Sequence, residues 1–157
     1  MSEHSGHAIA ERVQGIVDDH AEMEGPLLPI LHAIQDEFGH VPEEAVRPIA
    51  AALNISRAEV HGVISFYHDF HTEPRGRHIV KICRSEACQA RGGQSIEDKA
   101  RELLRLNWNE TTPDGSVTLE PVYCLGLCTS GPSALIDDRP VAKLSGEKLA
   151  ALVKELD

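Results

Sequence analysis

The residues of this chain best suited to chemistry are four cysteines, all in its second half: Cys83, Cys88, Cys124 and Cys128. They form two local pairs, Cys-x4-Cys in "KICRSEAC" and Cys-x3-Cys in "VYCLGLC". Each pair opens at the carboxyl end of a segment that reads as a strand, "HIVKIC" (78–83) and "SVTLEPVYC" (116–124). If those strands are neighbours, both pairs leave the same edge of the sheet. Ligand sites of α/β folds gather at such carboxyl ends. Four thiolates there could hold a zinc ion, for which Cys-x3-Cys fits and Cys-x4-Cys is at the edge of the usual spacing. They could instead hold a [2Fe–2S] cluster, in which each iron takes two cysteines and wider spacing is tolerated. Four buried thiols that merely pack remain the third reading.

The spacing weighs against other chemistries. The plant-type ferredoxin pattern is absent, and none of the nine histidines lies beside a cysteine as a Rieske centre requires. A thiol–disulfide oxidoreductase on the same fold is a weaker alternative, because its attacking and resolving thiols usually sit in Cys-x-x-Cys. Around the cysteines, Gly126 permits backbone angles that bring amides near sulfur, and amide donors raise the potential of a cluster. Leu125 and Leu127 would exclude water, and Arg84 and Arg91 could offset negative charge.

The elements that must position these residues change character midway. Ala8 to His20 reads as a short amphipathic helix. Leu27, Ile30, Leu31, Ile34 and Phe38 repeat at helical spacing after Gly25 and Pro26, and Gly39 closes the run. Pro42 suits a first helical position, with Glu43 and Glu44 in the first turn. Ser56 and Glu59 make a capping box ahead of Val60, Val63, Ile64 and Tyr67. "HTEPRGR" (71–77) then breaks the pattern as a linker. Beyond it come the first strand, a helix over 96–107 capped by Ser95, the second strand, two short strands around Asp137 and Asp138, and a final helix capped by Ser145. Pro121 pushes the second long strand towards an edge or an early end. The expected class is therefore mixed, α+β or α/β. A helical region over 1–74 precedes a small sheet domain over 75–157.

The 157 residues suffice for one domain or two small lobes, and 41% are hydrophobic. The net charge of −10 and the scarcity of aromatic residues argue against a nucleic-acid surface. No secretory signal is evident, and no apolar run reaches the roughly 18 residues of a membrane span. The expectation is a cytoplasmic protein with reduced thiols, for which an even cysteine count suggests metal before disulfide.

Three stretches together resemble a known family: "CRSEACQARGG", "YCLGLCTSGPSALIDDRPVAKL" and the helical "LLPILHAIQDEFGHVPEEAVRPIAAALNISRAEVHGVISFYHDF". They are similar to the thioredoxin-like [2Fe–2S] subunits of NADH-linked redox complexes, over roughly residues 10–157. The resemblance implies a helical N-terminal docking region followed by a thioredoxin-like [2Fe–2S] domain. It implies that Cys83, Cys88, Cys124 and Cys128 are all cluster ligands and that this chain holds no catalytic residue of its own. FMN and NAD are then expected in a partner, a flavin- and NAD-binding iron–sulfur subunit. Respiratory members tend to end the segment after the last ligand in Ala-Pro, where this chain has "TSGP" with Gly131. That segment, "YCLGLC" and the ending at Asp157 look closer to the gamma subunit of soluble NAD-dependent formate dehydrogenase. The large partner would then be a molybdenum- or tungsten-containing subunit. The equivalent subunits of respiratory NADH–quinone oxidoreductase and of NAD-reducing hydrogenase are the alternatives. A zinc-stabilised interaction module is the alternative from another class.

Two further features carry less. His68 and His71 could pair on a metal, but a solvated helix end explains them without a third ligand. "RGGQS" (91–95) could meet an anion at a helix start, but it lacks the full glycine fingerprint and reads as a flexible loop.

Overall fold

The computed structural model describes the backbone of residues 3–156 and the side chains of residues 7–156. Residues 1, 2 and 157, the extremes of the two expected regions, lie outside the described residues. The chain divides into two compact units, Met1–Pro74 and Arg75–Asp157.

The first unit is helical: α1 (Glu3–Asp19), α2 (Leu27–Phe38), α3 (Glu43–Leu53) and α4 (Arg57–Phe66). Helices this short are marginal alone and are held by burying an apolar face. Val13, Ile30, Leu31, Ile34, Ile49 and Val60 are all fully buried in one core. The ends follow local chemistry. Gly39 closes α2 at φ 76, a left-handed position that glycine occupies without penalty, and its N–H donates to the Gln35 carbonyl at 2.7 Å. Ser56 accepts from the Glu59 N–H and the Glu59 carboxylate accepts from the Ser56 N–H, completing the capping box of α4. Pro42 stands one place earlier than expected, as the residue before α3. Its extended backbone, ψ 149, is outside the helix.

Gln35 is a buried polar residue on the inward face of α2. Its amide donates to the Asp69 carbonyl and its Oε1 accepts the His71 N–H at 2.8 Å, stitching the segment after α4 back onto α2. Gln35→Leu keeps the volume but strands a backbone donor and an acceptor. It should lower the unfolding free energy by about 1–3 kcal/mol in urea titrations. An unchanged midpoint would show that water replaces both bonds.

The second unit contains β1 (His78–Cys83), α5 (Glu86–Ala90), α6 (Gly93–Leu104), β2 (Glu110–Thr111), β3 (Val117–Val122), β4 (Ala134–Ile136), β5 (Arg139–Val141) and α7 (Gly146–Lys154). The sheet order is β2-β3-β1-β4-β5, so β1 is central. It pairs with β3 in parallel and with β4 antiparallel. Val80, Ile82, Leu119, Ala134 and Ile136 supply the sheet's share of the core. Ile96, Ala100, Leu104, Leu149 and Leu156 supply the share of α6 and α7. Asp137 and Asp138 take positive φ, 48 and 63, as a tight hairpin turn demands. The mixed class expected from the sequence is the one observed.

Several boundaries differ from expectation. The helix over 96–107 begins at Gly93, and Gly92 precedes it at φ 91. Ser95 therefore lies inside its first turn, where its hydroxyl donates to the Gly92 carbonyl. The short α5 and β2 carry no signal in the sequence. Five and two residues are too few for any periodicity to register. β3 ends early, at Val122 just after Pro121, as one of the two expectations had it, and it is not an edge strand. Carbonyls of Ser116 and Val122 serve β1, while those of Val117 and Leu119 face the β2 side and accept from Thr112 and Asn109. Pro121 belongs to the second set, and the pairing of β2 stops at Leu119. The missing N–H thus falls where no partner strand runs.

Candidate metal centre

Parallel pairing of β1 and β3 sets Cys83 opposite Val122, two residues before Cys124. Both cysteine pairs therefore begin at the same end of the sheet. Cys83 is the last residue of β1, and its position is pinned from both sides. Its N–H donates to the Ser133 carbonyl at 3.0 Å, and the next N–H, of Arg84, donates to the Val122 carbonyl at 2.7 Å. Cys88 lies within α5. Both thiols are 1% exposed. Cys124 is exposed, in the turn after β3, and Cys128 is half-buried at the start of a single 3-10 turn, Cys128–Ser130.

The turn between the second pair is coiled by two left-handed residues, Cys124 at φ 85 and Gly126 at φ 75. Gly126 adopts that angle freely, whereas Cys124 adopts it at a cost that functional sites commonly carry. The result is an amide aimed at sulfur: the Gly126 N–H lies 3.4 Å from Cys124 Sγ. Leu125 and Leu127 are half-buried beside it.

All four cysteines are free thiols. Cys124 Sγ and Cys128 Sγ stand 3.5 Å apart. Two sulfurs about 2.3 Å from one tetrahedral metal stand roughly 3.8 Å apart, so this pair fits a shared ion with little movement. Burial opposes ionisation of Cys83. Hydrogen bonds from the Ser85 hydroxyl and amide, the Cys88 thiol and the Cys124 amide outweigh it and bring that thiol down to about 7. Cys128 is pushed up, first by its hydrogen bond with Cys124 and the charge of that group, then by burial and the charge of Cys88. Adjacent thiols resist becoming thiolates together unless a cation lies between them. Among the described residues, no three His, Cys, Asp or Glu groups are gathered tightly enough to hold a single metal ion. The donor set fits a group that takes sulfur in pairs, as a two-iron cluster does.

Close packing shapes the pocket around Cys88. A Cβ on Gly131 would lie 3.2 Å from Cys88 Sγ, and one on Gly93 would lie 2.8 Å from the Cys88 carbonyl oxygen. The Ser133 hydroxyl is 3.5 Å from Cys88 Sγ. The "RGGQS" stretch is therefore no flexible loop, because Gly93 is buried against the backbone of α5. The other sequence candidates stand elsewhere. His68 follows the end of α4, and the His71 backbone is tied to Gln35. Arg91 is exposed at the end of α5. Arg84 is not idle: it pairs with Glu97 and lies over the Trp108 ring at 5.0 Å. Sequence reasoning missed Glu97, Trp108 and Ser133, whose neighbours along the chain carry no motif.

The model of the thioredoxin-like [2Fe–2S] ferredoxin family matches residues 13–157. A component of the NADH-quinone oxidoreductase of Escherichia coli K12 is 36% identical over 124 residues, covering 79% of this chain and 75% of that protein. The HndA component of the NADP-reducing hydrogenase of Solidesulfovibrio fructosivorans is 27% identical, covering 85% of this chain and 78% of that one. A crystal structure of an NAD+-reducing [NiFe]-hydrogenase superposes with a TM-score of 0.71 at 23% identity, a likeness of fold. It covers 83% of this chain and only 22% of the hydrogenase chain. Among the described residues no helix is long and apolar enough to cross a membrane.

Proposed function

The chain belongs to the thioredoxin-like [2Fe–2S] ferredoxin family, and from that premise we propose that it is the electron-transfer subunit of an NADH-linked oxidoreductase. Cys83, Cys88, Cys124 and Cys128 are its ligand set. When bound, a [2Fe–2S] cluster accepts and releases one electron at a time. The observation that carries this reading is the adjacency of β1 and β3, which starts both cysteine pairs from one end of the sheet. The protein's own work is to hold four thiolates, to aim the Gly126 amide at Cys124 and to keep Cys83 and Cys88 from water. FMN and NAD belong to a partner subunit.

The parent complex in the finer reading is a cytoplasmic NAD-dependent formate dehydrogenase with a molybdenum or tungsten subunit. The sequence around "YCLGLCTSGP" supports it. A respiratory NADH–quinone oxidoreductase is favoured by the identity to the Escherichia coli protein. Purifying the native assembly and assaying NAD reduction with formate, NAD reduction with hydrogen, and NADH oxidation with a quinone separates these parents. Metal analysis tests the coarser reading: two irons and two acid-labile sulfides per chain are expected. One zinc without sulfide would replace electron transfer by a structural module.

The helical unit is the docking arm, and its partner is a protein segment that is apolar and basic. All of the net charge resides in residues 1–74, where three Arg and no Lys face thirteen carboxylates. An apolar groove of about 590 Å³ crosses this unit, lined by Leu27, Leu28, Leu53, Ile55, Val63 and Tyr67 among others. Met23, Phe66 and Tyr67 are exposed in the same unit. An acidic surface around an apolar groove selects Lys and Arg flanking apolar anchors. Phe66→Ser combined with Tyr67→Ser should leave the helical circular dichroism intact. It should weaken co-purification with the flavin-binding partner at least tenfold, and wild-type binding should weaken with added salt. Undiminished assembly of the double variant would remove the docking role from this groove.

A further inference from the structure

Glu97 is 2% exposed on α6, and a buried carboxylate is tolerated only when its acceptor capacity is filled. One oxygen, Oε1, takes both donors: Arg84 Nε at 3.1 Å and Gln89 Nε2 at 2.6 Å. Arg84 directly follows Cys83, and Gln89 directly follows Cys88. The Arg84 guanidinium also rests on Trp108 and interacts with the Tyr123 hydroxyl, and Tyr123 directly precedes Cys124. A carboxylate from a neighbouring helix is thus linked to the chain beside three of the four thiols.

A buried ion pair of purely structural use could sit anywhere along α6. This one grips the residue after each thiol of the first pair, through a single atom. We infer that Glu97 is a positioning residue for the iron–sulfur site, fixing the loop from Cys83 to Cys88 and neutralising the Arg84 cation beside it. The inference rests on the proposed ligand set. Paired with the Glu97 carboxylate at 3.1 Å, Arg84 contributes little net charge near the sulfurs. Without that carboxylate charge, the cation is uncompensated, and a cation near a cluster favours its reduced, more negative form.

The test uses full-length protein, loaded anaerobically, with iron and sulfide counted first. The readouts are the midpoint potential from an EPR-monitored titration and the rate of iron release to a chelator. Glu97→Gln should raise the reduced-to-oxidised ratio at fixed poise by up to tenfold, a shift of about 59 mV for one electron. It should also release iron several-fold faster, and Glu97→Asp should recover part of both effects. Gln89→Leu preserves the Arg84–Glu97 pair, so it should speed iron release without moving the potential. It also serves if Glu97→Gln does not fold. Wild-type potential and release rate in a folded, loaded Glu97→Gln protein, or an unchanged release rate in Gln89→Leu, would overturn the inference. Wild-type protein that takes up no iron or sulfide would overturn the ligand set itself, a separate failure.

Discussion

Protein carrying Cys88→Ala is expected to lose both the visible absorption and the reduced-state EPR signal of the loaded wild-type chain. The thiol is 1% exposed and enclosed by Ser133, the backbone of α5 and the close approach of Gly131. The chain has four cysteines in all, so under the proposed ligand set none is spare to replace it. The Ser133 hydroxyl, 3.5 Å from the lost sulfur, is a poor substitute for a thiolate because its proton is far harder to remove. Removing the buried sulfur should also cost the metal-free protein about 1 kcal/mol in urea unfolding, for the small cavity it leaves. Cys124→Ala should abolish the signal without that second loss, because Cys124 is exposed. A full EPR signal in Cys88→Ala would refute the ligand set.

Gly93→Ala should be strongly damaging to the sheet domain and to its iron loading. Gly93 opens α6 beneath α5, and a Cβ there would stand 2.8 Å from the Cys88 carbonyl oxygen and 2.9 Å from its carbon. Both are backbone atoms, so no rotamer change relieves the clash. Alanine favours a helix over glycine by about 1 kcal/mol. Displacing α5 costs about 1–3 kcal/mol or more, so the net effect is destabilising. The displaced element carries Cys88, so iron loading should fall along with the urea midpoint. Gly15→Ala on α1 is the control. Nothing lies within 4 Å of its Cβ, and that variant should be neutral or stabilised by up to about 1 kcal/mol. Equal midpoints for the two variants would show that the α5–α6 junction yields at no cost.

Much of the local structure was legible residue by residue. The apolar period from Leu27 to Phe38, the Gly39 stop, the Ser56–Glu59 box and the Asp137–Asp138 turn each write their own element. The cysteines were legible as two pairs because each sits where a run of β-forming residues ends. Their convergence was legible only conditionally, because the sequence does not state that β1 and β3 are neighbours. The pairing Cys83↔Val122 supplies that condition.

What lay out of reach shares one cause: interactions between residues far apart in the chain. α5 is too short to show a period, and it is held by contacts such as that of Gly93 on the Cys88 carbonyl. Of the two outcomes Pro121 predicted, the early end is observed, at Val122, and the edge is not, because β2 pairs with β3 as far as Leu119 and stops short of the proline. Glu97 carries no motif or spacing in the sequence that marks it. Only folding turns it inward onto Arg84 and Gln89. The longer elements, the thiol donors and their two-pair spacing could be read from the chain alone, since these depend on side-chain identity and near-neighbour spacing. Which strands adjoin, which charges are buried and which glycines are irreplaceable emerged only on folding. Those depend on which distant surfaces come into van der Waals contact, and no local pattern encodes that.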